Sequence, residues 1–584
     1  MRRALNRLTS FPYTPDEDGN VPEWGTVLEQ PGGVGPANCA GDFGGRWLAV
    51  LSKYRMCLKE EMPLLLQAEK NLLPTLNSED YYGPIESAEE VSEPHAGGMA
   101  NMIRGLIAYS EATEDALGIN LACQLADKYF LPRLSLFVNF KDWLQSSGDI
   151  GAVLWANEAL ACLYLFTGKD RYLEFAEQVS QSWMNWDYQS AHAHAHGALC
   201  ICRGLVILYL ITGDVTYLNV VRDAAEVFAK HQTEYFGVSN WLGEGHYEGR
   251  LKELEKTGMY TEGGCGSTDW MALNCWLWRA TRDSSYLDRA EMTLYNTLTG
   301  HQEKNGGWCC YSFSPYNVIS PLIKDVYWCC NQWGALGYAT ALEFAYTVDH
   351  DAVLVNFYLP GEVILQIENG QVVLDIDTDY PNSGEVKIRI LKVPKPFGGL
   401  YFRVPSWSKK IQILRNPSLL QVSDRNGYLG FRGHFREGEE IILNIDLPLR
   451  IVDGRFGYIG NSPLLIKQGE ERIYGQVALL KGPILLILDQ QYNPSVEITG
   501  KEFMLSGEIQ KIDLNSLLSK LRVEEIPEWP NLFFNANCIS PEIRGIYLSP
   551  FANLTSSDDP RASGVFNILS EPLSGSTTDR NANI

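Results

Sequence analysis

The chain has 584 residues, more than one compact core serves, so two or three domains are expected. Its composition, 45% hydrophobic and 20% charged, is that of an ordinary globular protein. A net charge of −23 repels phosphate backbones and anionic lipid surfaces but not a neutral sugar. Nucleic acid and membrane are therefore set aside as partners, and no apolar run approaches the roughly 20 residues of a membrane span.

Residues 1–44 read as an N-terminal extension. Met1 to Arg7 is basic, and Thr9 to Asn20 is polar with two prolines, so no signal-peptide core follows. Many of the 13 cysteines, including Cys57, Cys123, Cys162, Cys200, Cys202 and Cys275, sit inside apolar helical patterns. That usage fits reduced core thiols and a cytoplasmic location better than a disulfide framework.

Residues 45–350 read as helical, with one recurring pattern. Leu165-Phe166-Thr167-Gly168-Lys169-Asp170 leads to Tyr172-Leu173, and Leu210-Ile211-Thr212-Gly213-Asp214 leads to Tyr217-Leu218. Ala280-Thr281-Arg282-Asp283 leads to Tyr286-Leu287, and Ala112-Thr113-Glu114-Asp115 is a weaker copy. The threonines stand 54, 45 and 69 residues apart. Each copy reads as an αα-hairpin: glycine takes the left-handed position after one helix, and Asp caps the next. Hairpins at this spacing must stack to bury their faces, which predicts a closed (α/α)6 toroid over about 300 residues, with an open superhelix as the alternative.

Two cysteine groups lie at loop-to-helix junctions of this region. Tyr260-Thr261-Glu262-Gly263-Gly264-Cys265 precedes one strong helix, and Trp328-Cys329-Cys330 precedes another. In a ring of hairpins such junctions gather at one end, and a helix N-terminus favours thiolate. Three thiolates and a carboxylate suit a tetrahedral zinc ion, although the spacing is not that of a zinc finger and buried reduced cysteine is the plainer reading. Cys309 and Cys310 also offer themselves as ligands.

From Asp351 the period changes to two. Val386, Ile388 and Ile390 alternate with charged residues, as do Leu400, Phe402 and Val404, and turn signals such as Arg425-Asn426-Gly427 intervene. Residues 351–490 read as a β-sandwich. Residues 491–584 read as a second β-rich region that ends in a polar, mobile tail from Thr555.

In combination these stretches resemble the β-L-arabinofuranosidase family, glycoside hydrolase family 127. The resemblance rests on Cys265 to Trp270, Tyr286-Leu287-Asp288-Arg289-Ala290-Glu291-Met292-Thr293-Leu294-Tyr295-Asn296, Trp328-Cys329-Cys330, Leu354 to Pro360, Arg403-Val404-Pro405-Ser406-Trp407, and Val477 to Pro483. It implies a multi-domain α + β chain, an (α/α)6 catalytic domain followed by β-sandwich structure, and a carbohydrate substrate. By position it implies zinc (Zn2+) held by Glu262, Cys265, Cys329 and Cys330. One departure stands out: two residues, Gly263 and Gly264, separate Glu262 from Cys265 where the family has one. The resemblance further implies a retaining exo-glycosidase that releases β-L-arabinofuranose or a related sugar. Cys329 would be the nucleophile, and Glu248, taken over Glu244, the acid/base. His95, His194 and His196 would bond sugar hydroxyls, with Trp270, Trp328 and Trp333 walling the pocket. Two other readings stand beside it. One is a metal-independent lyase or uronide hydrolase, disfavoured by the few Lys and Arg in the motif loops. The other is a non-enzymatic glycan-binding protein with structural zinc. The oligomeric state is left open, a homodimer included.

Overall fold

The computed structural model describes residues 1–9, 40–139, 155–184, 195–231, 259–262, 264–308, 311–314, 318–321, 329–414, 420–422, 426–453, 475–489, 522–524, 533–535, 547–550, 564–565 and 567–570. Helices α1 (Arg2–Thr9), α2 (Asp42–Leu58), α3 (Pro63–Leu72), α4 (Glu93–Thr113), α5 (Ala116–Leu125) and α6 (Leu134–Val138) come first. Then follow α7 (Ala156–Thr167), α8 (Asp170–Met184), α9 (Ala195–Thr212), α10 (Val215–His231), α11 (Cys265–Thr281), α12 (Ser285–Thr293) and α13 (Cys329–Ala345).

Helix α2 packs on α4, α4 on α7, α7 on α9, α9 on α11, α11 on α13, and α13 back on α2, which closes an inner ring of six. Helices α3, α5, α8, α10 and α12 each pack outside the inner helix that precedes them, and α1 lies against α13 and α2. The sequence pattern accounts for this division. Inner helix α9 carries one charged residue, Arg203, in Ala195–Thr212, whereas outer helix α8 is amphipathic and buries only one stripe, including Tyr172, Phe175, Ala176, Val179 and Trp183. The Thr-Gly-Asp junctions behave as the spacing predicts. Gly168 and Gly213 take left-handed φ values of 63° and 75°. Asp214 accepts from Thr216 N at 2.9 Å, and Asp283 from Ser285 N at 3.0 Å. Two boundaries differ from the sequence reading. Arg2–Thr9, placed there in an extension, is an outer member of the ring because Ala4, Leu5 and Leu8 form an apolar face that is buried. The first inner helix begins at Asp42.

After the ring come two five-stranded sheets that form the β-sandwich. One has the order β10-β13-β8-β7-β6, from Ile411–Leu414, Glu440–Ile445, Glu385–Lys392, Gly370–Thr378 and Gly361–Ile367. The other runs β11-β12-β9-β5-β4, from Leu420–Val422, Tyr428–Arg432, Gly399–Arg403, Ala352–Val355 and Tyr346–Asp349. Val386, Ile388 and Ile390 are buried as the alternation requires. A third sheet joins the ring to the C-terminal part. Strands β1 (Met259–Glu262), β2 (Tyr311–Ser314) and β3 (Val318–Pro321), which precede and follow α11–α12, continue into C-terminal strands through Gly564–Val565, paired with Val318 and Ile319. The stretch read as a mobile tail therefore contributes two strands, Gly564–Val565 and Asn567–Ser570, the latter paired with Gly475–Lys481. The backbone groups of a sheet edge supply the pairing that its polar composition conceals. No helix among the described residues is long and apolar enough to cross a membrane.

The motifs Tyr286–Asn296, Arg403–Trp407 and Gly482-Pro483 meet at the seam between ring and sheets. Arg403, fully buried, pairs through Nη2 with the equally buried Glu291 at 2.7 Å and through Nη1 with Asp288, and its Nε donates to Asn356 O at 2.7 Å. Tyr380 Oη donates to Glu291 at 2.7 Å. Asn296 donates to Pro483 O and accepts from Leu485 N, both at 2.8 Å. These motif residues lock α12 to the β part. Truncating one partner of a buried pair leaves the other charge without compensation. Arg403→Met should therefore lower unfolding free energy by about 3–5 kcal/mol in urea denaturation. The double change Arg403→Met with Glu291→Leu should recover part of that loss.

Candidate active site

Because inner and outer helices alternate, the six inner helices run the same way, and their first turns gather at one end of the ring. Cys265, first residue of α11, and Cys330, second of α13, are both buried, with their sulfurs 3.8 Å apart across 65 residues of sequence. Cys329 opens α13. Glu262 ends β1, in register with Tyr311. Gly264 explains how the two cysteine segments come so close: a Cβ built there would fall 2.6 Å from Cys330 Cα, closer than packed atoms approach. The second glycine between Glu262 and Cys265 is thus the point where the α13 backbone crosses.

Around the sulfurs lies a charge network that the motif loops did not reveal. Arg46 of α2 places Nη1 3.8 Å from Cys265 Sγ and 3.4 Å from His196 Nε2. Its Nε donates to Asp42 at 2.6 Å, and its guanidinium lies 4.4 Å from the Trp333 ring centroid. His196 Nδ1 faces Asp269 Oδ2. Asp269 Oδ1 accepts from Arg203 Nη1 and, at 2.7 Å, from Trp333 Nε1. Arg203 is held by both oxygens of Glu158, at 3.2 and 3.0 Å, and Arg104 reaches Glu158 at 3.3 Å. Burial raises the Asp269 pKa, but His196 and Arg203 outweigh it and hold the carboxyl well below the usual range. Burial, helped by the two guanidiniums, keeps the His196 imidazole below its ordinary value despite Asp269. Asp42, Arg46, Arg104, Trp155, Glu158, Arg203 and Asp269 escaped the sequence reading. The available signal was a lone charge in an otherwise neutral inner helix: Glu158 in α7 and Arg203 in α9. The cations expected to be scarce arrive from helix interiors, and Arg46, Arg104 and Arg203 are each paired with carboxylate.

The other predicted residues fall in different places. His95 is wholly buried at the start of α4, with Nε2 2.7 Å from Tyr82 O and Nδ1 3.0 Å from Glu86. Nε2 is engaged by Tyr82 O and Nδ1 lies beside the Glu86 carboxylate, so the ring is held within the protein. Trp270 is 1% exposed and edges against Phe228 of α10, so it packs toward the outer layer instead of walling the pocket. Trp333, with Trp155, brackets His196, their ring centroids 5.3 and 4.7 Å from the imidazole. Glu244, Glu248, His194, Cys309, Cys310 and Trp328 lie outside the described residues.

His196, Cys200 and Asp269 bring one ligand atom each within 4.8 Å of one another and could hold a metal ion. Arg203 already donates to Cys200 Sγ at 3.2 Å and to Asp269, so a cation there would meet a guanidinium.

Two predictions follow from this packing. Gly264→Ala should separate the cysteine segments, lowering the melting temperature by several degrees and exposing Cys265 and Cys330 to alkylation. His301, buried in the helical turn after α12, has its pKa pushed down to about 4, chiefly by burial. Its neutral form is favoured in the fold, so its contribution is complete above about pH 6.5 and falls away as pH drops toward 4. Unfolding free energy should therefore decline between pH 7 and 5, and less steeply in His301→Gln.

The chain matches the family model of the GH127 β-L-arabinofuranosidase catalytic domain over residues 89–341 and that of the GH127 middle domain over residues 352–447. A search of curated proteins finds no match. Among solved structures, a GH127 β-arabinofuranosidase superposes with a TM-score of 0.66 at 16% identity, over 98% of this chain and 91% of the other. A GH127 β-L-arabinofuranosidase from Geobacillus stearothermophilus T6 gives 0.65 at 16% identity, over 90% of each chain. A further glycoside hydrolase gives 0.65 at 16%, over 91% of this chain and 92% of its own. At such identity the likeness speaks for the fold, a helical ring followed by β-sheet structure, while the two family models together span more than half of the sequence. With ring, sheets and family models in agreement, the chain belongs to glycoside hydrolase family 127, and is a glycosidase acting on carbohydrate.

Proposed function

We propose that this glycosidase is a retaining, exo-acting enzyme that releases β-L-arabinofuranose or a related sugar. Cys329 is its nucleophile, Glu248 its acid/base, and zinc is held by Glu262, Cys265, Cys329 and Cys330. The observation that carries this reading is the meeting of Cys265 and Cys330 at 3.8 Å. Two thiolates on one tetrahedral zinc, each at about 2.3 Å, stand about 3.8 Å apart, so the pair fits the ion. Cys329 adjoins Cys330 in sequence, and Glu262 precedes Cys265 by three residues, which keeps both near the same point. The donor set, soft sulfur with one carboxylate, is one that zinc accepts.

Bound zinc would supply acidity to the thiols and fix their direction. In the first step the Cys329 sulfur attacks the anomeric carbon. The carbon–oxygen bond to the aglycone breaks, and Glu248 gives its proton to the departing oxygen. In the second step Glu248 takes a proton from water, whose oxygen bonds the same carbon while the carbon–sulfur bond breaks and the thiolate returns. Two inversions give net retention. Paired as they are, Arg46, Arg104 and Arg203 offer little to a uronate carboxylate, which disfavours the uronide reading.

A panel of aryl glycosides that includes 4-nitrophenyl β-L-arabinofuranoside tests this. Cys329→Ser and Glu248→Gln should each lower kcat/KM by about 100-fold or more on the glycoside the wild type cleaves. The product should keep its anomeric configuration, and the protein should carry one zinc. Full activity in either variant, or an inverted product, would overturn the assignment.

A further inference from the structure

Two cavities open where the C-terminal end of α11 meets the β-sandwich, one of about 500 Å³ and one of about 700 Å³. Asp351, Gly398 and Arg432 line both, so the two share a wall. Trp278, Tyr401 and Tyr428 give the smaller cavity aromatic sides, and Phe397 and Phe435 do the same for the larger. Trp278 stands 13 residues beyond Cys265 on α11, which is about 20 Å along the helix axis. The cavities therefore lie at the opposite end of the ring from the cysteines.

The smaller cavity gathers three turns whose backbone is left-handed without glycine. Arg282, His350 and Asn426, with φ values of 60°, 54° and 51°, all line it. Arg282 closes α11 at the position that Gly168 and Gly213 hold in the corresponding junctions, where glycine is the less costly residue. An arginine kept there supplies a side chain that the turn itself does not need. Its guanidinium lies 5.1 Å from the Trp278 ring centroid and 3.6 Å from Asp349. Arg432 repeats the pattern: its Nε donates to Tyr401 Oη at 2.6 Å, and Asp351 attracts its charge. Each guanidinium is thus answered by a carboxylate, in a pair exposed enough to be shared with a ligand. A sugar diol accepts from a guanidinium and donates to a carboxylate, so it matches the combination that occurs twice here. The aromatic sides suit its C–H faces.

We propose that the two cavities form one accessory groove that binds a neutral oligosaccharide apart from the catalytic centre, with Arg282, Asp351 and Arg432 as its polar contacts. The choice of a sugar rests on the glycosidase reading. A glycan held there keeps the enzyme beside other chain ends of the same polymer and raises their effective concentration.

The test is calorimetric titration of the full-length protein with α-linked arabinohexaose, which a β-specific glycosidase leaves intact. L-arabinose is present throughout to fill the catalytic centre, and an acidic hexamer of galacturonate serves as the charged control. The wild type should bind one arabinohexaose per chain and the acidic hexamer more weakly. Arg282→Gly should weaken arabinohexaose binding about tenfold, the loss of a charged hydrogen bond. Its melting temperature should hold or rise, because glycine takes this φ freely. A purely structural arginine would give the reverse, a lower melting temperature with unchanged binding. The double change Asp351→Ala with Arg432→Ala, at side chains reached by solvent, should also weaken binding about tenfold or more. In both variants kcat/KM on 4-nitrophenyl β-L-arabinofuranoside should not change. No arabinohexaose binding by the wild type, unchanged affinity in both variants, or tighter binding of the acidic hexamer would overturn the proposal. Binding as described in a protein that hydrolyses no glycoside would support the groove and count against the catalytic reading alone.

Discussion

Six helices with apolar residues on most sides cannot bury them unless every one has a neighbour on both sides, and closure of α13 on α2 is what provides this. An open stack of the same hairpins would leave Trp47, Leu48 and Leu51 of α2 or Trp333 and Phe344 of α13 at an unfilled end, although all are buried here. Closure also fixes polarity. Six parallel inner helices direct their unsatisfied N–H groups to one end, where anions are favoured. Cysteine sulfur and carboxylate collect there because the ring makes that end the cheapest place for them.

The charged residues within the ring follow the same logic. A guanidinium or carboxylate is tolerated in such a core only with partners, and Arg46, Arg104 and Arg203 are set against Asp42, Glu158 and Asp269. The chain of contacts runs from Glu158 through Arg203 and Asp269 to His196, then through Arg46 to Cys265. Helices α2, α7, α9 and α11 place a side chain directly in that line, and α4, with Arg104 on Glu158, and α13, with Trp333 on Asp269, place one next to it. Low exposure strengthens each of the paired hydrogen bonds in this network. At the other seam Arg403, Glu291 and Asn296 do for the ring and sheets what this network does for the helices among themselves.

Much of this architecture is legible along the chain. Periodicity separates helix from strand, and the Thr-Gly-Asp junctions count the hairpins, because both signals act between residues a few positions apart. The cysteine groups are visible as helix starts, and their meeting follows once a ring is assumed. His95 and Trp270 show where that inference stops: position at a junction says nothing about whether a side chain turns inward. Tyr82 and Glu86 capture His95, and Phe228 captures Trp270, from segments the junction motif does not include.

By itself the sequence determined the elements, the alternation that makes a ring possible, and the sulfur-rich junctions, since each depends on local spacing or on residue type. Tertiary structure alone decided which charges face one another, that Gly264 admits the Cys330 backbone, and that the outermost helix and the last strands come from opposite ends of the chain. Those choices depend on contacts between residues tens to hundreds of positions apart, whose energies arise from burial and pairing in three dimensions and leave no periodic trace in one.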